Sequence, residues 1–222
     1  MSKKFLISRQ RHLLLTFLIS LIVSALLAVT IGSFKISVFD ILLGKLDELG
    51  STILYTIRMP RVMLAAFVGA SLAISGACLQ GLFRNPLADP GLIGVSAGAA
   101  LGAAFAIVFS SRFISLDFLG PYLIPFSAII GSASVIIILF VITKGFGYDG
   151  VTYMLLAGIA VNAIAGVGIG VLTYISDDSE LRSLTSWTMG SFGGVTWPLI
   201  IPSIVVILFS IVWIIGPVSY TH

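Results

Sequence analysis

Charge-free apolar stretches recur along the chain at Leu13–Ile31, Val62–Phe83, Gly91–Ser111, Phe118–Thr143, Gly150–Ser176 and Pro198–Gly216. Each can hold a helix of about 20 residues, long enough to cross about 30 Å of hydrocarbon. A helix also satisfies its own backbone groups where no water is available. The pattern predicts an all-α polytopic membrane protein with six transmembrane helices at about 13–31, 62–83, 91–111, 118–143, 150–176 and 198–216, forming one transmembrane domain over 1–222. The first apolar run follows a basic segment, Met1 to His12. It is too long for the core of a cleaved leader and reads as a retained span.

The connections carry their own signals. Ser37 with Asp40 three residues later resembles a capping box and predicts a short surface helix between the first two spans. Arg84–Pro90 reads as a tight turn, with Asp89 capping the third span and Pro90 in its first position, where a missing N–H costs nothing. Leu181–Phe192 suits an interfacial helix carrying Trp187, ended by Gly193 and Gly194.

Composition makes lipid the solvent of this chain. Of 222 residues, 58% are hydrophobic and only 9% charged, with a mean hydropathy of +1.15; water-soluble chains carry about 25% charged residues. The net charge of +3 is small, and the basic residues form no stripe. No nucleic-acid partner is expected. Cys78 is the single cysteine and lies in an apolar run, so it reads as a small packing residue.

Basic residues divide evenly between the two sides of the predicted spans. Lys3, Lys4, Arg9 and Arg11 crowd the start of the first span, which places the N-terminus in the cytoplasm. Arg58 and Arg61 then fall at the outer edge of the second span, where the positive-inside rule disfavours them.

Small residues recur at helical spacing. Gly94, Gly98 and Gly102 line the third span; Gly158, Gly166 and Gly170 line the fifth, with Asn162 among them. The second span carries Ala66, Gly69, Ala73 and Gly76. Such stripes let helix backbones approach closely, because association in lipid depends on packing and interhelical hydrogen bonds. Asn162 suits either an interhelical hydrogen bond or the lining of a pathway, and Gln80, near the inner end of the second span, suits both roles as well.

Absences narrow the function. No Asp, Glu, Lys, Arg or His lies in the middle of a predicted span, as a proton- or sodium-coupled carrier or a carboxylate-based intramembrane protease would require. His12 and His222 are both near termini, so no Ser–His pair is available within the membrane. There is no metal-ligand cluster and no G-x-x-x-x-G-K-[ST] loop. The chain is expected to be neither an enzyme nor a cofactor carrier. Any transport it performs must draw its energy from another polypeptide.

Arg58-Met-Pro-Arg61, Val68 to Gly76, Leu79-Gln80, Arg84 to Pro90 and Gly91 to Gly98 closely resemble the FecCD family, and Leu155 to Asn162 and Trp187 to Trp197 extend the likeness in order through nearly the whole chain. The resemblance implies the permease of a type II ABC importer, of ten spans per subunit, in a bacterial plasma membrane. It also implies a homo- or heterodimeric permease partner, two cytoplasmic ATPase subunits, an extracytoplasmic substrate-binding protein and a cargo of ferric siderophore, haem or cobalamin type. By the same resemblance Arg58 and Arg61 dock the binding protein, and Asp149 and Thr152 lie at the inner gate. The chain stops before the coupling loop and last four spans of that pattern. A truncated permease is therefore expected, with a non-transporting scaffold that keeps only subunit or binding-protein contacts as the alternative.

Overall fold

The computed structural model describes residues 3–86, 89–110, 120–146 and 150–220, and among them there is no strand. The helices are α1 (Lys3–Thr30), α2 (Val38–Leu42), α3 (Glu48–Thr52), α4 (Met59–Phe83), α5 (Val95–Phe109), α6 (Leu123–Thr143), α7 (Gly150–Ile175), α8 (Asp178–Met189) and α9 (Trp197–Tyr220). A π-helix, Ile53–Arg58, joins α3 to α4, and 3-10 turns at Pro90–Ile93 and Gly120–Tyr122 precede α5 and α6. Five helical stretches are long and apolar enough to cross a membrane. Large apolar side chains such as Leu14 and Phe17 are about 70% exposed on α1, as expected where lipid rather than water is outside.

Two stretches differ from the sequence expectation. The second runs as unbroken helix from Glu48 to Phe83, starting well before Val62. Pro60 has no N–H to donate to the carbonyl four residues back, and its ring crowds that carbonyl. Just before it the helix widens: the Met59 amide bonds to the Leu54 carbonyl, five residues back. A π-turn accommodates the proline without ending the helix. The third stretch is shorter than expected. Asp89 caps the 3-10 turn by accepting the Gly91 amide at 2.7 Å, and Gly94, at φ +85°, then breaks the helix direction. This leaves α5 with 15 residues, or about 22 Å.

The other connections follow local chemistry. Ser37 Oγ accepts the Phe39 amide and starts α2. Helix α8 begins three residues earlier than expected because Asp177 and Glu180 form a reciprocal capping box. It ends at Gly190, whose φ of +74° leaves the helix.

By its internal contacts the chain divides into two compact units: Met1–Gly69 with Phe192–Leu208, and Ala70–Ser191 with Phe209–His222. In the first, Ile36, Leu54, Pro60 and Ile200 are buried. In the second, two clusters form the core, one around Ala104, Ile107, Val108, Leu172 and Leu184, the other around Ile93, Val135 and Leu139.

Candidate functional site

The two arginines are placed by the π-helix and the first turn of α4, and they take different roles. Arg58 is buried, with 8% of its surface exposed. One guanidinium nitrogen donates to the carbonyls of Val29 and Thr30 (3.1 Å to the latter), the other to the carbonyl of Phe34. Val29 and Thr30 close α1, and the last carbonyls of a helix have no partner within it. A cation there also complements the negative end of the helix dipole. Arg58 therefore acts as a remote cap for α1 and holds the turn that follows. A Cβ on Gly32 would lie 3.0 Å from the guanidinium carbon, so the glycine makes room for it.

Arg61, one turn further along, is exposed. Its Nε donates to the Phe192 carbonyl at 3.0 Å, and its two terminal nitrogens have no hydrogen bond among the described residues. In the same compact unit the Trp197 indole N–H donates to the Tyr55 carbonyl at 2.8 Å. The expectation of two equivalent outward-facing arginines is thus replaced by one buried clamp and one exposed cation. Arg61 to Phe83 measures about 33 Å along the helix, close to the thickness of a hydrocarbon core. Tyr55 and Phe192 contribute only backbone carbonyls, which no side-chain motif could have signalled.

The residues expected at a pathway or gate do not converge. Asn162 donates from its amide nitrogen to the Gly91 carbonyl at 2.9 Å, tying α7 to the 3-10 turn. Gln80 is exposed near the end of α4, and Thr152 is exposed in the first turn of α7. Asp149 lies outside the described residues.

The glycine stripes divide as well. A Cβ on Gly98 would sit 2.7 Å from the Gly131 carbonyl oxygen, one on Gly102 would overlap the Ser127 carbonyl, and one on Gly158 would lie 2.8 Å from Ile93 Cα. Gly94 combines its left-handed backbone with a Cβ position 3.1 Å from Val161. Gly166 and Gly170, by contrast, have nothing within 4 Å, and Gly168 faces Leu101 instead. A four-residue repeat drifts around a helix of 3.6 residues per turn, which carries those two glycines off the contact. Gly131 went unrecognised in the sequence, although Ser127 four residues before it is a small-residue signal.

A family model, the FecCD transport family, matches residues 18–219. The chain belongs to the FecCD transport family. Relatives within reach of alignment include a hemin transport system permease of Yersinia pestis, 43% identical over 189 residues, which cover 85% of this chain and 56% of that protein. A molybdate import permease of Haemophilus influenzae is 33% identical over 186 residues, covering 80% and 53%. The fold superposes on a solved chain described as a metal-chelate type ABC transporter in an inward-facing conformation. The TM-score is 0.74 at 30% identity, covering 90% of this chain and 59% of that one. The chain thus spans a little over half the length of these FecCD relatives. Its fold is the membrane-spanning, all-α fold of an ABC transporter permease.

Proposed function

We propose that this chain serves as the membrane-spanning part of an ABC importer permease, carrying an iron chelate such as a ferric siderophore, or a related haem- or cobalamin-type complex, into the cytoplasm. The observation that carries the reading is the family match over residues 18–219. The absence of ionisable residues from the middle of the apolar stretches agrees with it, because the energy then comes from ATPase subunits rather than from an ion within the membrane. The 43% identity to a hemin permease supports a bulky iron complex as cargo.

In this proposal the permease pairs with a second permease subunit, two cytoplasmic ATPases and an extracytoplasmic binding protein. Arg61 presents free guanidinium donors to acidic groups of the binding protein, and Arg58 holds the turn beneath it while adding positive potential. The inner gate is placed at the start of α7, at Thr152 with Asp149 three residues before it, and Gln80 is assigned to the pathway. The N-terminus is cytoplasmic. Impermeant labelling of single cysteines in intact cells, with Cys78 replaced, should then reach Asp178→Cys and miss Lys144→Cys.

The deciding experiment is uptake of labelled ferric siderophore, haem, cobalamin and molybdate. Cells with and without this gene are compared, with its ATPase and binding protein co-expressed. Gene-dependent, ATP-dependent uptake of an iron complex is expected. Uptake of molybdate alone would overturn the cargo, and no gene-dependent uptake of any of the four would overturn the importer.

A further inference from the structure

The helix that carries the two arginines has one carbonyl its own backbone cannot serve. In a π-turn each amide reaches five residues back, as the Met59 amide does to the Leu54 carbonyl. The next amide in that register would reach the Tyr55 carbonyl. The next residue is Pro60, fully buried and without an N–H to donate. The Tyr55 carbonyl is served instead from far along the chain, by the Trp197 indole N–H at 2.8 Å. A carbonyl left without a donor is costly where water is scarce, so this bond repairs the gap that Pro60 opens.

The same strap is tied to the same helix a second time. Arg61, six residues after Tyr55, donates from Nε to the Phe192 carbonyl at 3.0 Å. Phe192 and Trp197 are thus the two ends of a six-residue strap, fixed to points about 9 Å apart along one helix. Gly194, at φ +68°, turns the chain between them. Trp197 itself opens α9, which is seated in the core of this unit by Ile200, 1% exposed. The amides of Leu199 and Ile200 bond to the Thr196 carbonyl and stiffen that first turn.

We infer that Trp197 is a positioning residue for Arg61. Its indole N–H fixes the strap, and the strap presents the Phe192 carbonyl that aims the Arg61 guanidinium. With Nε engaged, the two terminal nitrogens stand as a set fork, the shape that pairs with a carboxylate. A side chain already held in its binding conformation loses less entropy when a partner arrives. What meets the fork rests on the docking reading; the positioning does not. The plainer role for a tryptophan near a membrane boundary is interfacial anchoring. That role needs no bond to a helix carbonyl and leaves Arg61 indifferent to residue 197.

The test uses the full 222-residue chain in detergent, carrying isotope-labelled arginine. Water exchange of the Arg61 Nε proton is read by NMR, the signal being assigned by its loss in Arg61→Lys. Trp197→Phe keeps an aromatic ring and removes the donor, so exchange at Arg61 should quicken about fivefold, the weight of one hydrogen bond. Arg58, held by its own three carbonyls, should not change. Trp197→His retains a ring N–H and should keep Arg61 close to its original rate, and Trp213→Phe, on the same helix, should have no effect. Unchanged exchange in Trp197→Phe would overturn the proposal. Equal quickening in the phenylalanine and histidine variants would also overturn it, since ring volume rather than the donor would then matter. Association with the binding protein, measured on the same variants, separates this proposal from the docking reading. Trp197→Phe should slow association, though less than Arg61→Glu. Quickened exchange with association unchanged in both variants would remove the docking role and leave Arg61 positioned by Trp197.

Discussion

Gly98 and Gly131 meet backbone to backbone where α5 crosses α6. A Cβ on the first would lie 2.7 Å from the carbonyl oxygen of the second, and a Cβ on the second would overlap the carbonyl of the first. Neither obstacle is a flexible side chain that could swing away. Leucine at Gly98 must therefore separate the helices, at about 1–3 kcal/mol or more for overpacking. Gly166, with open space around it, should accept leucine within about 0.5 kcal/mol. Thermal unfolding of the two variants in detergent checks the order. Equal melting temperatures would mean that the crossing does not limit stability.

The two arginines should differ in the same measurement. Arg58→Gln removes a buried cation from three carbonyls, and unsatisfied buried groups cost about 1–3 kcal/mol. Arg61→Gln removes one exposed hydrogen bond, worth about 1 kcal/mol or less. Arg58→Gln is thus expected to melt at the lower temperature, with α1 showing faster hydrogen exchange near Thr30. A larger loss at Arg61 would reverse the assignment of clamp and exposed cation.

Asn162 separates packing from pathway through its donor. Asn162→Leu loses the bond to the Gly91 carbonyl, a cost averaging about 0.6 kcal/mol for such bonds in membranes. Asn162→Asp, once ionised, has no donor and faces a carbonyl oxygen, so it should destabilise more than leucine. The melting order Asn162, then Leu, then Asp is the expected result. A stable aspartate variant with altered uptake would place Asn162 on the pathway instead.

Docking through Arg61 has a kinetic signature. Ion pairs at a rim govern encounter rate and weaken with salt, because screening acts over about 8–10 Å at physiological strength. Arg61→Glu should slow association with the binding protein and flatten its salt dependence, and acid-to-lysine changes on the binding protein should restore part of the rate. Surface plasmon resonance at several salt concentrations gives both quantities. Unchanged association in a well-folded Arg61→Glu chain would remove the docking role.

The sequence by itself determined that this chain belongs in lipid and folds as helices. Apolar runs such as Leu13–Ile31 admit no other solution once water is absent, and single-residue chemistry announced the caps at Ser37 and Asp89, though not the one at Asp177. Those signals are local, and a local physical rule reads them. The tertiary structure decided what depends on a partner far along the chain. It showed that Arg58 caps a helix nearly thirty residues earlier, that Asn162 reaches back to Gly91, and that Gly98 touches a backbone while Gly166 touches nothing. A glycine stripe states that close approach is permitted; only the crossing geometry fixes which turn of the helix uses it. An arginine in an R-x-P-R run has the same charge at either position. The π-turn forced by Pro60 sits where one arginine is buried among carbonyls and the next is left exposed.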